Sequence, residues 1–358
     1  MQESASVHDE HALHYAFASD NCAGLCQEAM AALQAANADY MPSYGEDHWT
    51  QRAVQLIREF FETDCQVFFT FNGTSANSLA LSALCQPYQS IICHRDSHVQ
   101  TDECGCPEFV TGGSKLLTVG GAAGRVDLAE VTQIARYERG VHFPPARALT
   151  ITQSTEAGTV YDVDQLNQIG ETCRALDLKF HVDGARFANA IASLGCSAKE
   201  ITWQAGVDCL TLGGTKNGMA VGECVVFFDA NLARDFEFRC KRAGQLASKM
   251  RYLSAPWVGM LESGGYLRHA AHANASALRL ANQLAAIEGV EIAFPPAANA
   301  VFAIFPAAVS QHLEACGWHF YDLFGNGQSR LMCSWATREA EIDAFCADVR
   351  AASSIATA

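Results

Sequence analysis

The sequence predicts an α/β fold: a large domain on a mainly parallel seven-stranded sheet, then a small C-terminal α/β domain. Three observations predict it. Strand-like apolar runs alternate with helical patterns between residues 66 and 228, as parallel strands joined by crossover helices require. After Asn231 the pattern changes to long helices and then to short strands. The chain has 358 residues, which suits one large domain plus a smaller one. The expected division is an N-terminal arm over 1–16, a large domain over 17–256 and a small domain over 257–358.

The elements follow in order. Phe17–Asn21 is short and polar at its end, and a helix is expected over Gln27–Ala36. The turn Tyr44-Gly45-Glu46-Asp47 leads into a second helix, Thr50–Phe61. Its apolar positions Ala53, Leu56, Ile57 and Phe60 share one face, and Thr50 is the expected N-cap. Strands are predicted at Gln66–Phe71, Ser90–His94, Lys115–Val119, Ala148–Gln153, Leu178–Asp183, Asp208–Leu212 and Glu223–Phe228. Helices are predicted between several of them, at Ser75–Leu84, Leu128–Arg139 and Asp164–Leu176. Helical patterns over Phe236–Leu253 and Leu261–Ile287 are interrupted at Ala255-Pro256-Trp257, which marks the expected boundary. Beyond it, strands at Val290–Ala293, Val301–Phe305 and Arg330–Ser334 alternate with helices at Ala307–Ala315 and Glu339–Arg350.

Composition narrows the function. Hydrophobic residues make up 49% of the chain, enough for a sizeable core. A net charge of −15 argues against a nucleic-acid groove, which needs a basic face. No apolar run approaches the ~20 residues of a membrane helix. The N-terminal MQESASVHDEHALHY lacks the basic and apolar regions of a signal peptide. The fifteen cysteines form no CxxC pair, so neither a disulfide framework nor a zinc ribbon is suggested. Buried free thiols in a reducing cytoplasm fit best.

The chemistry concentrates between Lys179 and Gly218. HVDGARF places Asp183 at the end of a strand-like run and Arg186 three residues later. LTLGGTKNG ends the next run in a glycine loop that carries Lys216. In a parallel sheet both segments end at the carboxyl edge, where ligands bind. An acid, a guanidinium and an amine would then meet in one crevice, which is what pyridoxal phosphate requires. Its aldehyde needs a lysine amine for a Schiff base, and its pyridine nitrogen needs a carboxylate to stay protonated as an electron sink. Lysine suits this role because its pKa falls readily when it is desolvated or near another cation. Arg186 could supply that cation, or reach the ring phenolate or a substrate carboxylate. Alone, DGAR is more often a helix cap with a surface ion pair, because Asp is a favoured N-cap. Alone, a lysine between glycines is a solvated turn. At the ends of neighbouring strands, the two together favour cofactor chemistry.

Other strand ends join this set. Phe71-Asn72-Gly73-Thr74-Ser75 opens a helix, where Gly73 and Thr74 can present N–H groups to a phosphate. It is not a Walker loop, since no GKS or GKT follows, and Gly120–Gly124 lacks dinucleotide-fingerprint spacing. The His94–Cys106 loop matches no familiar metal site, and no metal is expected there. His98 in that loop could stack on a flat ring or take a proton. Glu156, after the Ala148–Gln153 run, is a candidate to face the crevice, with a solvated loop carboxylate as the alternative. Arg330 could grip a substrate carboxylate.

These segments resemble the low-specificity L-threonine aldolases, within the type-I, aspartate-aminotransferase-like fold of pyridoxal phosphate enzymes. The likeness spans FASDN, YGED, FNGTSAN, SHVQTDECG, DGARF, GGTKNGMAVGE, KRAGQLASKMRYLSAPW and SRLMCSW. It is nearest to a pseudomonad-type branch that includes L-phenylserine aldolase. The resemblance implies that Lys216 carries the cofactor, Asp183 pairs with the ring nitrogen and His98 stacks on the ring. It implies phosphate binding by Gly73 and Thr74, and substrate carboxylate binding by Ser19, Arg186 and Arg330. It further implies a homotetramer built as a dimer of dimers, with Lys241 or Arg251 serving the neighbouring subunit's site. Ser154-Thr155-Glu156 stands where many members carry a histidine, so Glu156, His98 or a water would be the base. The GGGMR segment of other branches reads here Ala247-Ser248-Lys249-Met250-Arg251.

The implied reaction is retro-aldol cleavage of L-threonine, L-allo-threonine and related β-hydroxy-α-amino acids to glycine and an aldehyde. The alternatives are L-phenylserine aldolase, another pyridoxal phosphate β-lyase or transaminase, and a non-catalytic binding protein, because fold does not fix function.

Overall fold

The computed structural model describes residues 14–322, 324–325 and 327–356. All but the last three residues of the expected N-terminal arm therefore lie outside the described residues. The chain divides into two compact units. One is Gly24–Ala271, and the other joins the residues up to Ala23 to those from His272 onward. The boundary expected near Pro256 falls inside the first unit. Pro256 does not interrupt a helix there but lies within one, Arg251–Glu262. The interruption comes earlier. Helix Phe236–Arg242 ends at Ala243, and Gly244 then turns the backbone into the left-handed region (φ +73°) that glycine enters without a Cβ penalty.

The larger unit is built on seven strands: β1 (Gln66–Thr70), β2 (Ser90–His94), β3 (Lys115–Val119), β4 (Ala146–Thr152), β5 (Lys179–Gly184), β6 (Cys209–Leu212) and β7 (Glu223–Phe227). Their order across the sheet is β1-β7-β6-β5-β4-β2-β3. β3, β2, β4, β5 and β6 are mutually parallel, while β7 runs antiparallel to both β6 and β1. β1 therefore points the same way as the parallel set, and the start of β7 meets its carboxyl edge. The central strands are buried on both faces, as their apolar runs anticipated. β5 also buries His181, whose ring bonds Thr150 of β4 at 2.8 Å and Thr211 of β6 at 3.2 Å.

Helices cover the sheet. Gly73–Leu84 buries Ala76, Leu79, Ala80 and Leu81 in a core cluster that includes Cys93, Val225 and Phe227. Fully burying a side chain such as Phe227 contributes roughly 1.5–3 kcal/mol. Helix Arg251–Glu262 packs on Gln27–Ala36 at Gly259, where a Cβ would fall 2.4 Å from the Glu28 carbonyl oxygen. Only glycine admits that approach. The second helix begins at His48 rather than Thr50, because Asp47 is its N-cap. Asp47 accepts both the Thr50 N–H (2.8 Å) and the Thr50 hydroxyl (2.9 Å), so the threonine is capped rather than capping.

The second unit has its own four-stranded antiparallel sheet: β8 (Glu291–Ile292), β9 (Ala300–Ile304), β10 (Tyr321–Asp322) and β11 (Gln328–Met332), in the order β10-β11-β9-β8. Helices Ala307–Ala315 and Glu339–Ala356 contribute Val309, Leu313, Phe345 and Val349 to its core. Phe17 joins that core, stacked near Trp318 and edge-on to Phe345. The two-residue β10 was not anticipated. So short a strand leaves no apolar period to read.

No described helix is long and apolar enough to cross a membrane.

Candidate active site

The carboxyl edge of the large sheet collects the predicted residues of this unit. Asp183 is the penultimate residue of β5 and is buried. Its Oδ1 accepts the Ala185 N–H at 3.0 Å, and its Oδ2 accepts Asn77 Nδ2 at 2.9 Å. The carboxylate is thus held from its own loop and from helix Gly73–Leu84. Arg186 is the residue before helix Phe187–Leu194, one turn of chain beyond.

Lys216 lies in the single-turn 3₁₀ segment Thr215–Asn217 that follows β6. That loop is in contact with the Asp183 loop. The Gly213 N–H donates to the Gly184 carbonyl at 3.0 Å, and a Cβ on Gly213 would fall 2.4 Å from the Ala185 carbonyl oxygen. Gly214 is as confined: a Cβ there would meet Met219 Sδ at 2.6 Å and the Gly222 carbonyl at 2.8 Å. The glycines flanking the lysine are therefore packing requirements as well as turn formers. Glu223, at the start of β7, accepts the Gly214 N–H at 2.6 Å and pins the loop from the antiparallel side.

His98 opens the short helix His98–Thr101 after β2. Its Nδ1 lies 2.9 Å from Glu103 Oε1, and 30% of its side chain remains exposed. The Glu103 hydrogen bond raises its pKa above the ordinary histidine value, against the opposing effect of burial. Asp183, Glu156 and Lys216 all act on it electrostatically, so the four predicted groups share one neighbourhood. Glu156 is half-buried in the turn after β4. Ser154, two residues earlier, has a buried hydroxyl without a hydrogen-bond partner. His94 is held by its neighbours: Nδ1 accepts the Asp96 N–H at 3.1 Å, and Nε2 lies 3.3 Å from the Gly121 carbonyl.

Gly73 and Thr74 begin the helix after β1, whose N-cap Asn72 accepts the Ser75 N–H at 2.9 Å. Nothing lies within 4 Å of where a Gly73 Cβ would stand, which leaves room for an anion beside this helix N-terminus. These groups fit pyridoxal phosphate: an amine, a buried carboxylate, an imidazole, a helix N-terminus and an unpaired hydroxyl at one sheet edge.

Ser19 and Arg330 belong to the other unit. The Ser19 hydroxyl accepts the Asn21 N–H at 3.2 Å and caps the 3₁₀ turn Asp20–Cys22. Arg330 is half-buried on β11, in register between Phe302 and Tyr321. Lys241 lies over the Tyr44 ring at 4.6 Å, and Arg251 over the Tyr252 ring at 5.1 Å.

Comparison with known proteins places the chain in a family. A family model described as Beta-eliminating lyase matches residues 16–308. A low specificity L-threonine aldolase from Pseudomonas sp. strain NCIMB 10558 is 55% identical over 335 residues, 94% of this chain and 97% of the relative. Its namesake from Pseudomonas aeruginosa is 52% identical, over 93% of this chain and 96% of the relative. The chain belongs to the beta-eliminating lyase family, among the low-specificity L-threonine aldolases. The solved threonine aldolase of Leishmania major superposes with a TM-score of 0.89 at 26% identity, covering 95% of this chain and all of that one.

Three residues around the candidate site were given no role in it from the sequence. Asn77 sits one turn inside its helix, where a polar residue looks like an ordinary exposed position. Glu103 lay in a loop with other acids and cysteines. Glu223 opened a strand. Each is buried. A charged residue at the first position of an otherwise apolar strand, facing a glycine loop, was the one available signal, and it applied to Glu223.

Proposed function

We propose that the chain cleaves L-threonine, L-allo-threonine and related β-hydroxy-α-amino acids to glycine and an aldehyde, with pyridoxal 5′-phosphate as cofactor. The observation that carries this reading is the meeting of Asp183, His98 and Lys216 at one sheet edge. The likeness to the Pseudomonas aldolases over nearly the whole chain supports it. When bound, the cofactor supplies an electron sink for the pair left at Cα. Lys216 would hold it through its amine. Asp183, fixed by Asn77 and the Ala185 N–H, keeps the ring nitrogen protonated. His98 would pack on the ring, and Gly73 and Thr74 would donate N–H groups to the phosphate. Arg186 grips the substrate carboxylate, which sets the Cα–Cβ bond for cleavage. Glu156 takes the β-hydroxyl proton as that bond breaks and the aldehyde leaves. Protonation at Cα then gives glycine. The assembly is a cytoplasmic homotetramer, a dimer of dimers.

The test is release of glycine and aldehyde from L-threonine, L-allo-threonine and L-phenylserine, with and without added cofactor. Cofactor-dependent glycine supports the reading, and the ranking of rates names the preferred aldehyde. Pyruvate or ammonia without glycine would replace it with a β-elimination. Substantial aldehyde release by Lys216→Ala would remove that lysine from its role.

A further inference from the structure

Glu103 is the most deeply buried acid of the loop between β2 and β3, with no exposed side-chain surface. Cys104 (φ +51°) and Gly105 (φ +71°) carry the chain through two left-handed residues immediately after it. Its Oε1 lies 2.9 Å from His98 Nδ1 and also accepts Asn77 Nδ2 at 2.8 Å. The same Asn77 nitrogen donates to Asp183 Oδ2 at 2.9 Å. One amide thus spends both its hydrogens bridging two buried carboxylates. Its own oxygen and Glu103 Oε2 are buried without hydrogen-bond partners. Burying a carboxylate costs several kcal/mol unless a charge or hydrogen bonds compensate. Packing alone gives no reason to place one here, whereas orienting an imidazole does.

We propose that Glu103 is a positioning residue, which fixes the His98 ring with Nδ1–H turned inward and, through Asn77, ties that ring to the Asp183 carboxylate. The inference rests on the reading of Asp183 and His98 as cofactor-facing groups. A carboxylate at Nδ1 selects the tautomer and leaves Nε2 as the outward nitrogen. The amide bridge couples the two ends of the site: a charge that neutralises Asp183 is felt at Glu103 and His98 through Asn77. Around His98 the charged groups are Glu103, Asp183 and Glu156, which favour its cation, and Lys216, which opposes it. Glu103 is the largest of these influences.

The experiment is peptide-resolved carbethoxylation by diethyl pyrocarbonate across pH, on the apoprotein, which reports the titration of His98 without any turnover. In the wild type the His98 midpoint should lie above the ordinary histidine value. In Glu103→Gln, which retains shape and loses charge, it should fall back toward the ordinary histidine value. A second readout is the absorbance maximum of added pyridoxal phosphate, which should titrate at a different pH in Glu103→Gln. A wild-type midpoint at or below the ordinary value would overturn the proposal, and that measurement needs no variant to fold. An unchanged midpoint in a folded Glu103→Gln would also overturn it and leave Glu103 a packing residue. Wild-type protein that gains no cofactor absorbance would instead sink the reading of the site, while the apoprotein titration would still report on Glu103.

Discussion

Glu223 accepts the backbone N–H of Gly214 at 2.6 Å, two residues before Lys216 in the loop. Its other oxygen lies 3.4 Å from the Thr215 nitrogen. Burial pushes the Glu223 carboxyl above the usual range, while hydrogen bonds from the loop and the nearby Lys216 charge pull it down. The loop is therefore organised by an acid from the antiparallel strand beside it.

Removing that acceptor should loosen the loop. Glu223→Ala leaves the Gly214 N–H buried and unpaired, at a cost of about 1–3 kcal/mol. We expect a lower Tm and weaker retention of pyridoxal phosphate, measured by dialysis and absorbance, with Glu223→Gln less affected. A Glu223→Ala variant with wild-type Tm and cofactor retention would show that the loop holds itself.

Much of this was legible beforehand, for physical reasons that vary along the chain. β2 and β3 matched their predicted spans because each is a short apolar run bounded by turn residues. Asp183 and Lys216 were visible because each follows such a run, and strand ends in a parallel sheet gather at one edge. The Asp183–Asn77–Glu103–His98 chain was not visible. Its members are separated by 106, 26 and 5 positions, and only the tertiary fold brings them into contact. Pro256 misled because it lies midway along its helix, where it removes one N–H from the ladder without ending the helix.

Acid should destabilise the fold partly through His181. Burial holds its pKa down to about 4, against a weaker opposing pull from Asp183. Between that value and the ordinary 6.5, the unfolded chain binds a proton that the folded chain refuses. Stability from this residue is thus complete above pH 6.5 and is lost as pH falls toward 4, to a limit of about 3 kcal/mol. His181→Gln, which can still bond Thr150 and Thr211, should flatten the fall in Tm across this window. Parallel Tm profiles for the two proteins would contradict the assignment.

Glu156 is the proposed acceptor of the β-hydroxyl proton, because the Glu103 hydrogen bond holds His98 in its cationic form to higher pH. Loss of a general base typically costs 10²–10⁴ in rate. We expect Glu156→Gln to lower kcat for L-threonine by about 10²-fold or more, with cofactor absorbance and KM little changed. Retained kcat would pass the role to His98 or to a bound water.

The fifteen cysteines make a last prediction, since all are free and most are buried. The attacking species is the thiolate, so a raised pKa and an inaccessible sulfur both suppress reaction. Burial pushes Cys85, Cys173 and Cys240 up to about 12, and Cys65, Cys93 and Cys346 to about 11. Only Cys22 and Cys104 are exposed, with Cys106, Cys196 and Cys316 half-buried. A disulfide reagent at pH 8 should therefore titrate no more than these five in the native protein, with Cys22 and Cys104 the fastest. The remainder should appear only on denaturation. More than five fast thiols in the native state would mean that the core around β2, β6 and β7 opens readily, and hydrogen exchange in those strands should then be fast as well.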